Sequence, residues 1–419
     1  MAGVLVLGIA PVLGYYGVDV LRNSKAGTQA KTIPEVKFPS TPTAMVAVVD
    51  DQQVVTALAV LVLAPGTGKG GTLVSLPTNA SRAQTADDKN VPVADSFLTS
   101  GADGLLNDVE VLSNVTLNFS AVTTEANVST LLAPTGQLSV TLPNPVVGPG
   151  PGGTSKVLFP AGAATLTPAQ AASVLAANDL TKPETGRLAN VRAVWNGVAS
   201  AVGVGIQPAA VSAQPPTSFD DFLLHFFAGP IQVYNDLNTT ALTGAANPDK
   251  IDVGALDRAS VVLVMSGLAP GAMTAPYASL SFRIENGLTD ADVAAAGLTG
   301  TTSADLSREI VAQLLFLQSN VISVSPEVFT LDTHQVPDKT VVFTATDVQA
   351  SQSQDFATLF GSVEFQRPTI SFPLVDIVIV VGRSYLENVK KNLAIAPATT
   401  NPVGTPTTVV GQTAGTVFH

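Results

Sequence analysis

The 419-residue chain has no cysteine, which removes disulfides, thiolate metal sites and cysteine nucleophiles together. Charge is scarce as well: Asp, Glu, Lys and Arg make up 12% of the residues, where a soluble domain carries about 25%. Basic charge is the scarcer sign, with 20 Lys and Arg against 32 Asp and Glu. A net charge of −12 with no basic cluster excludes nucleic acid, whose phosphates would repel such a chain. The three histidines, His225, His334 and His419, are isolated from one another, so packing or surface roles are expected in place of metal or triad roles. The small acidic groups Asp87-Asp88, Asp220-Asp221 and Asp290/Asp292 lack EF-hand spacing. Asp221 is expected to help cap a helix after Ser218, and the others to sit in solvated loops.

Hydrophobic residues fill 46% of the chain, and the missing charge is replaced mostly by Ala, Val, Thr, Ser, Gly and Pro. That mixture suits strands, short loops and small-residue helices, and the length is enough for two domains with buried cores. Met1 to Val18 carries no charged side chain and is followed by Asp19, Arg22 and Lys25. A bilayer needs about 20 apolar residues, so residues 1–22 read as a signal anchor, a cleaved signal peptide or a buried core helix. The nearest basic residues follow the segment, which opposes export by the positive-inside rule, and a basic cytoplasmic leader ahead of it is expected.

Residues 23–43 read as a polar, Pro-containing linker. Strand-like runs follow at 44–50, 54–64 and 72–76, the last two joined by the turn Pro65-Gly66-Thr67-Gly68-Lys69-Gly70-Gly71. That turn misses the phosphate-loop pattern at Leu63 and Gly70, so it reads as a hairpin. The polar stretch 79–93 reads as a loop over a site. Leu105, Leu106, Val109 and Leu112 share one helix face after Gly101 and Gly104. Thr167-Pro168-Ala169-Gln170 is a capping box that opens a helix through Ala177. Leu188, Val191, Trp195, Val198 and Val202 follow at helical spacing, which puts Trp195, the only tryptophan, in the core. Strands are predicted at 137–142 and 156–160, with a Gly/Pro loop at 147–153. Strands alternating with helices argue an α/β fold over residues 44–266, a central mixed sheet flanked by helices. A boundary is expected at 267–276, where Gly, Pro and Ala cluster. A small second α/β unit over 277–388 has a strand at 279–285, a helix at 303–317, strands at 321–325, 340–346 and 376–382, and a short helix at 353–360. Residues 389–419 read as a disordered tail.

This order of elements resembles the LytR-CpsA-Psr family. The resemblance is carried by the apolar first segment, the strand ending in Asp50, Leu73-Val74-Ser75-Leu76-Pro77, residues 104–143 with Gly136, residues 159–177, and the helix opening at Gly186-Arg187. The second unit resembles the LytR C-terminal domain through Phe282-Arg283-Ile284-Glu285-Asn286-Gly287 and through residues 376–385. The resemblance implies an envelope protein held in the cell membrane by one span, with its folded part outside. It also implies a phosphotransferase ancestry, moving an anionic glycopolymer from polyprenyl pyrophosphate to peptidoglycan with Mg²⁺. Such chemistry needs arginines around the pyrophosphate and carboxylates around the metal.

This sequence departs from the family at those positions. The family's Ser-Ile-Pro-Arg-Asp appears as Ser75-Leu76-Pro77-Thr78-Asn79, without the arginine and the acid. Of the paired metal aspartates Asp50 is kept, while Thr56 occupies the other position. The Arg-x-Arg at the end of the capped helix falls at 176–179, where there is no arginine. Arg187 and Arg192 remain, with Asn190 and Val191 at neighbouring motif positions, and Arg82 can substitute for the lost arginine only if its loop folds back. The candidate phosphate-binding residues are therefore Arg82, Arg187 and Arg192, and the candidate metal ligand is Asp50. Arg187 and Arg192 have a second reading as a solvated helix face opposite Trp195. The leading expectation is a catalytically degenerate binder of a wall polymer or its polyprenyl-linked precursor, or an organiser of wall assembly. Mg²⁺ is expected only if activity survives. An active phosphotransferase with a rearranged site and a structural module docking a protein partner are the alternatives.

Overall fold

The computed structural model describes residues 33–83, 88–149, 154–178, 184–207, 211–212 and 214–395. The expected membrane segment, His419, Asp87 and most of the expected tail lie outside these residues. Among the described residues no helix is long and apolar enough to cross a membrane.

Three Val-, Leu- and Ala-rich strands, β1 (Thr43–Val49), β2 (Val55–Leu63) and β3 (Gly71–Leu76), form an antiparallel meander. They are nearly continuous apolar runs because both faces of the sheet are covered. β4 (Phe119–Thr124) pairs parallel with β1. Two antiparallel ladders follow, β5 (Leu138–Leu142) with β8 (Gly162–Leu166) and, between them, β6 (Val146–Pro149) with β7 (Ser155–Phe159). β9 (Ile231–Tyr234) pairs parallel with β3 and completes a mixed sheet of order β4-β1-β2-β3-β9. β10 (Thr239–Ala241) pairs with β11 (Gly254–Leu256) beside it. Ala44, Val46, Ala59, Leu61 and Leu73 share a core with Trp195 and Val198 of the helix Glu184–Val202 and with Phe222 and Phe226 of the helix Phe219–Phe227. Met45, Ala47, Val60 and Val74 belong to a second core with Leu105 and Val109 of the helix Ser96–Ser113.

The second core runs on through Val261, Val262 and Met265 of the helix Arg258–Leu268 to Phe282 and Ile284, and to Leu306 and Ile310 of the helix Ser303–Phe316. Phe282 and Ile284 lie in a second sheet of β12 (Ser281–Glu285), β13 (Asn320–Ser325), β14 (Thr340–Thr344), β15 (Val363–Gln366) and β16 (Ile377–Val380), in the order β13-β12-β16-β14-β15. Only the β14–β16 pair is antiparallel.

Several expectations are corrected. Of the predicted loop 147–153, residues 147–149 lie in β6, because the ladder to β7 outweighs the Gly/Pro content, and 150–153 lie outside the described residues. The Gly/Pro/Ala segment 267–276 is pinned to the first unit: the Thr116 amide donates to Ala272 O at 2.8 Å and the Thr274 amide to Asn114 O at 3.1 Å. The helix Arg383–Ile395 runs past residue 389, where the tail was expected to begin, with Tyr385 and Leu386 buried as its anchor. The predicted helix 353–360 starts earlier, as Asp347–Ala357 followed by a 3-10 turn. Asp290 and Asp292 stand in the first turn of a helix, Asp290–Ala295, where Asp292 completes a capping box with Thr289. Within the segment read as a linker, Glu35 bridges Ser371 in the loop before β16, and Pro42 O accepts the Leu63 amide of β2 at 3.0 Å.

The glycine-rich turn before β3 is a packing device. A Cβ on Gly229 would stand 2.6 Å from Lys69 O, so the 228–230 backbone lies directly on the turn, and the Gly70 amide donates to His225 O at 3.0 Å. His225 is buried, with Nδ1 2.8 Å from Asp221 O and Nε2 3.1 Å from Gln214 O.

Candidate functional site

At the end of the first sheet where β1 stops and β3 passes into Thr78, six stretches of chain meet in one hydrogen-bonded network. Its centre is Arg187 on the first turns of the helix Glu184–Val202. The guanidinium donates from Nε to Glu184 Oε2 at 2.7 Å and also from its NH2 nitrogen to the same oxygen, an ion pair at i,i+3, while Glu184 Oε1 accepts the Thr78 amide at 3.3 Å. It further donates to Thr78 Oγ1 at 2.7 Å and to Asn178 Oδ1 at 3.2 Å. Asn178 donates in turn to Asp50 Oδ2 at 2.7 Å. On the other side the Glu184 amide donates to Asp252 Oδ2 at 2.6 Å, and Asn79 Nδ2 donates to Asp252 Oδ1 at 3.0 Å. The Thr239 hydroxyl closes the network on Asn79 Oδ1 at 2.9 Å.

Local structure explains why these groups converge. Asp50 ends β1 and its Oδ1 accepts the Gln52 and Val54 amides, both at 2.9 Å, so it shapes the turn into β2. The 78–81 segment leaves β3 and is caught by β11 through the Ser81 amide, which donates to Gly254 O at 2.8 Å. Asn178 lies just past the capped helix Pro168–Ala176, where Thr167 and Gln170 form the predicted box.

The electrostatics follow from the inventory. Three carboxylates, on Asp50, Glu184 and Asp252, stand against one guanidinium, on Arg187. The Glu184 side chain is 2% exposed and that of Arg187 18%, so their pairing is screened little by solvent. An incoming pyrophosphate would meet more negative than positive charge here, and a cation already committed.

The three arginines singled out from the sequence are not brought together. Arg82 bonds Asp108 Oδ2 and Thr99 Oγ1 on the helix Ser96–Ser113, both at 3.3 Å. It does not fold back onto the Arg187 network. Arg192 donates to Asn238 Oδ1 at 2.8 Å and to Leu237 O, which ties the helix to the loop after β9. Burial pulls the Arg192 guanidinium down from its ordinary range, with Asp236 and Glu184 opposing that shift. Burial likewise pushes the neighbouring Tyr234 hydroxyl up, and Asp236 adds to it. Neither Arg187 nor Arg192 is on a freely solvated face, because both are folded onto neighbouring segments. Trp195 is buried as expected.

The residues around Asp50 do not fit Mg²⁺. Both its oxygens accept from amide donors, and nearby on β2 the Thr56 hydroxyl donates to Val48 O at 3.1 Å. Among the described residues no group of three or more His, Cys, Asp or Glu side chains could hold a metal. Two grooves, of about 330 and 410 Å³, lie along β5. Their walls come from β5, β8 and the outer side of the helix Glu184–Val202, and neither is lined by Trp195, Phe222 or Leu73 of the core beneath the sheet.

Glu184, Asn178 and Asp252 were not identified from the sequence. The Glu184-x-x-Arg187 spacing was the one available signal; Asp252 stands 68 residues from its partner Glu184 with no local pattern.

No family model matches the chain, and no curated protein matches it. Among solved structures it is similar to TagV of B. subtilis, at 12% identity and a TM-score of 0.40, over 55% of this chain and 96% of that one. It is also similar to the LytR-CPS2A-psr family protein YwtF (TagT) with bound octaprenyl pyrophosphate lipid, at 12% identity and a TM-score of 0.37, over 55% of this chain and 89% of that one. TagT bound to LIIa-WTA matches at 14% identity and a TM-score of 0.39 over the same shares. At these scores the likeness carries no argument about chemistry, and the functional reading rests on this chain's own residues.

Proposed function

We propose that this chain is a LytR-CpsA-Psr-like protein of the bacterial cell envelope that serves wall assembly as a non-transferring binder or organiser. In this reading residues 1–22 attach it to the cell membrane and the folded part lies on the extracytoplasmic side. The wall polymer meets the protein at its surface and not in a pyrophosphate pocket. The observation that carries the reading is the closure of Arg187 by Glu184, Thr78 and Asn178. Thr78 replaces a motif arginine, Asn178 falls within the segment where the family has Arg-x-Arg, and both are hydrogen-bond partners of Arg187, one of the two motif arginines that remain. Removing a donor from a developing transition-state charge costs about 2.7–4 kcal/mol of barrier, and several are absent here.

The test has two arms. Purified protein is titrated with a polyprenyl pyrophosphate, with and without Mg²⁺, beside an Arg187→Ala/Arg192→Ala variant, and is separately co-sedimented with purified cell-wall material. Retention on the wall material, with no Mg²⁺-dependent lipid binding that needs the arginines, is the expected result. Tight arginine-dependent binding accompanied by transfer would replace this reading with an active phosphotransferase. Failure of both arms would leave a module that docks another protein.

A further inference from the structure

Residues 34–38 lie across the loop that precedes β16. The Val36 amide donates to Ser371 O at 2.8 Å and the Ser371 amide donates to Pro34 O at 3.0 Å, a one-residue parallel bridge centred on Glu35. Side chains alternate as in a strand, with Glu35 and Lys37 exposed and Val36 and Phe38 half-buried. Phe38 stacks on Phe372, ring centres 6.0 Å apart at 19°, and the Arg283 guanidinium carbon lies 4.3 Å from the centre of the Phe372 ring. Val36 and Phe38 thereby cover a small core of Val341, Phe343, Phe372, Val378 and Val380 on the outer face of the second sheet. Pro34 and Pro39 bracket the bridge, and neither has an amide hydrogen with which to extend it.

We propose that the seat around Ser371 and Phe372 is a binding site for an extended peptide of the pattern apolar–any–aromatic. Its occupant is this chain's own Val36-Lys37-Phe38, which leaves the seat without either sheet unfolding. Main-chain bonds at one bridge give the geometry, and the alternate side chains give the selectivity, as in strand addition to a sheet or loop edge. A segment held by two backbone bonds and two half-buried side chains belongs to the least stable class of local structure, well below the ladders of β12 and β16. The inference stands independently of the wall-assembly reading.

The test uses the full chain carrying Phe38→Ala, titrated by fluorescence anisotropy with a labelled peptide of residues 33–40. The peptide is expected to bind this variant at least tenfold tighter than the unaltered chain, whose own segment fills the seat, and to lose that binding when Phe372→Ala is added. No binding to the Phe38→Ala chain, or equal binding to all three proteins, would overturn the proposal. Hydrogen exchange on the unaltered chain guards against misfolding of the variants. The Val36 and Ser371 amides are expected to exchange together and faster than those of Val378 and Ile379, and equal protection of the four would equally overturn it.

Discussion

Each unit contains an arginine paired with a buried carboxylate, and the two pairs are built differently. In the second unit Arg283 and Glu285 are two residues apart on β12, and Arg283 Nε donates to Glu285 at 2.8 Å. The fully buried carboxylate also accepts the Phe329 and Thr330 amides and the Thr330 hydroxyl, each at 2.9 Å. In the first unit Arg187 and Glu184 sit at a helix start and gather Thr78, Asn178, Asp50 and Asp252 from distant parts of the chain. The first arrangement pins one loop to one strand. The second joins the end of β1, the segment after β3 and the start of a helix through side-chain bonds between residues far apart in the chain. A buried ion pair is therefore informative through what else it touches, since its own net stabilisation is small or negative against an apolar replacement.

Breaking the pairs separates these roles. Glu285→Ala leaves Arg283 buried without its carboxylate and is expected to cost about 3–5 kcal/mol in denaturant unfolding. Glu184→Ala is expected to cost less, about 1.5–3 kcal/mol, because Arg187 keeps Thr78 and Asn178 and is partly exposed. The sharper contrast is in binding. Glu184→Gln is expected to create inorganic pyrophosphate affinity that vanishes on adding Arg187→Ala, whereas Glu285→Gln creates none; calorimetric titration of the three variants checks this.

The tie between the helices Arg258–Leu268 and Ser303–Phe316 supplies a pH test. Arg308 Nε donates to Asp257 Oδ2 at 2.6 Å. Burial alone would raise the Asp257 carboxyl, but hydrogen bonds from Ser260 and Arg308 outweigh it and hold it below the usual carboxylate range. The depressed value means that this stabilisation is present above the unfolded carboxyl pKa of about 3.9 and is lost as pH falls through the lower folded value. Asp257→Asn is expected to flatten that acid limb of the stability profile slightly, the group being partly exposed. The smallest effects are expected at the helix caps: Thr167→Ala in the first unit and Thr302→Ala in the second should each cost about 1 kcal/mol, equally in both, by thermal unfolding.

Elements with a strong local signal were legible in the sequence. The β1–β3 meander, the Thr167 cap, the Trp195 stripe and the helix from Ser303 all appear within a residue or two of their predicted limits. The helix Arg258–Leu268 was missed, because it is buried between two units and its apolar residues do not keep to one stripe. β4 and its pairing with β1 were missed too, since its residues are half-exposed and its partner lies some 75 residues away, as in the Ala44–Phe119 pair. Of the candidate site, the surviving Arg187 and Asp50 were legible as residue types, but their partners were not.

The sequence by itself determined the absence of thiol chemistry, the acidic balance, the alternation of strands and helices, and the uncharged side chains of Thr78, Asn79 and Thr56. These depend on composition and short-range spacing, which a single chain displays directly. Only the tertiary structure decided that Arg82, Arg187 and Arg192 point to three different neighbourhoods, that Glu184 and Asp252 close the site, and that residues 34–38 bridge the loop before β16. Those outcomes turn on which side chain reaches which across tens to hundreds of residues. That is settled by sheet register and by burial, which leave almost every polar group inside the fold to find a partner.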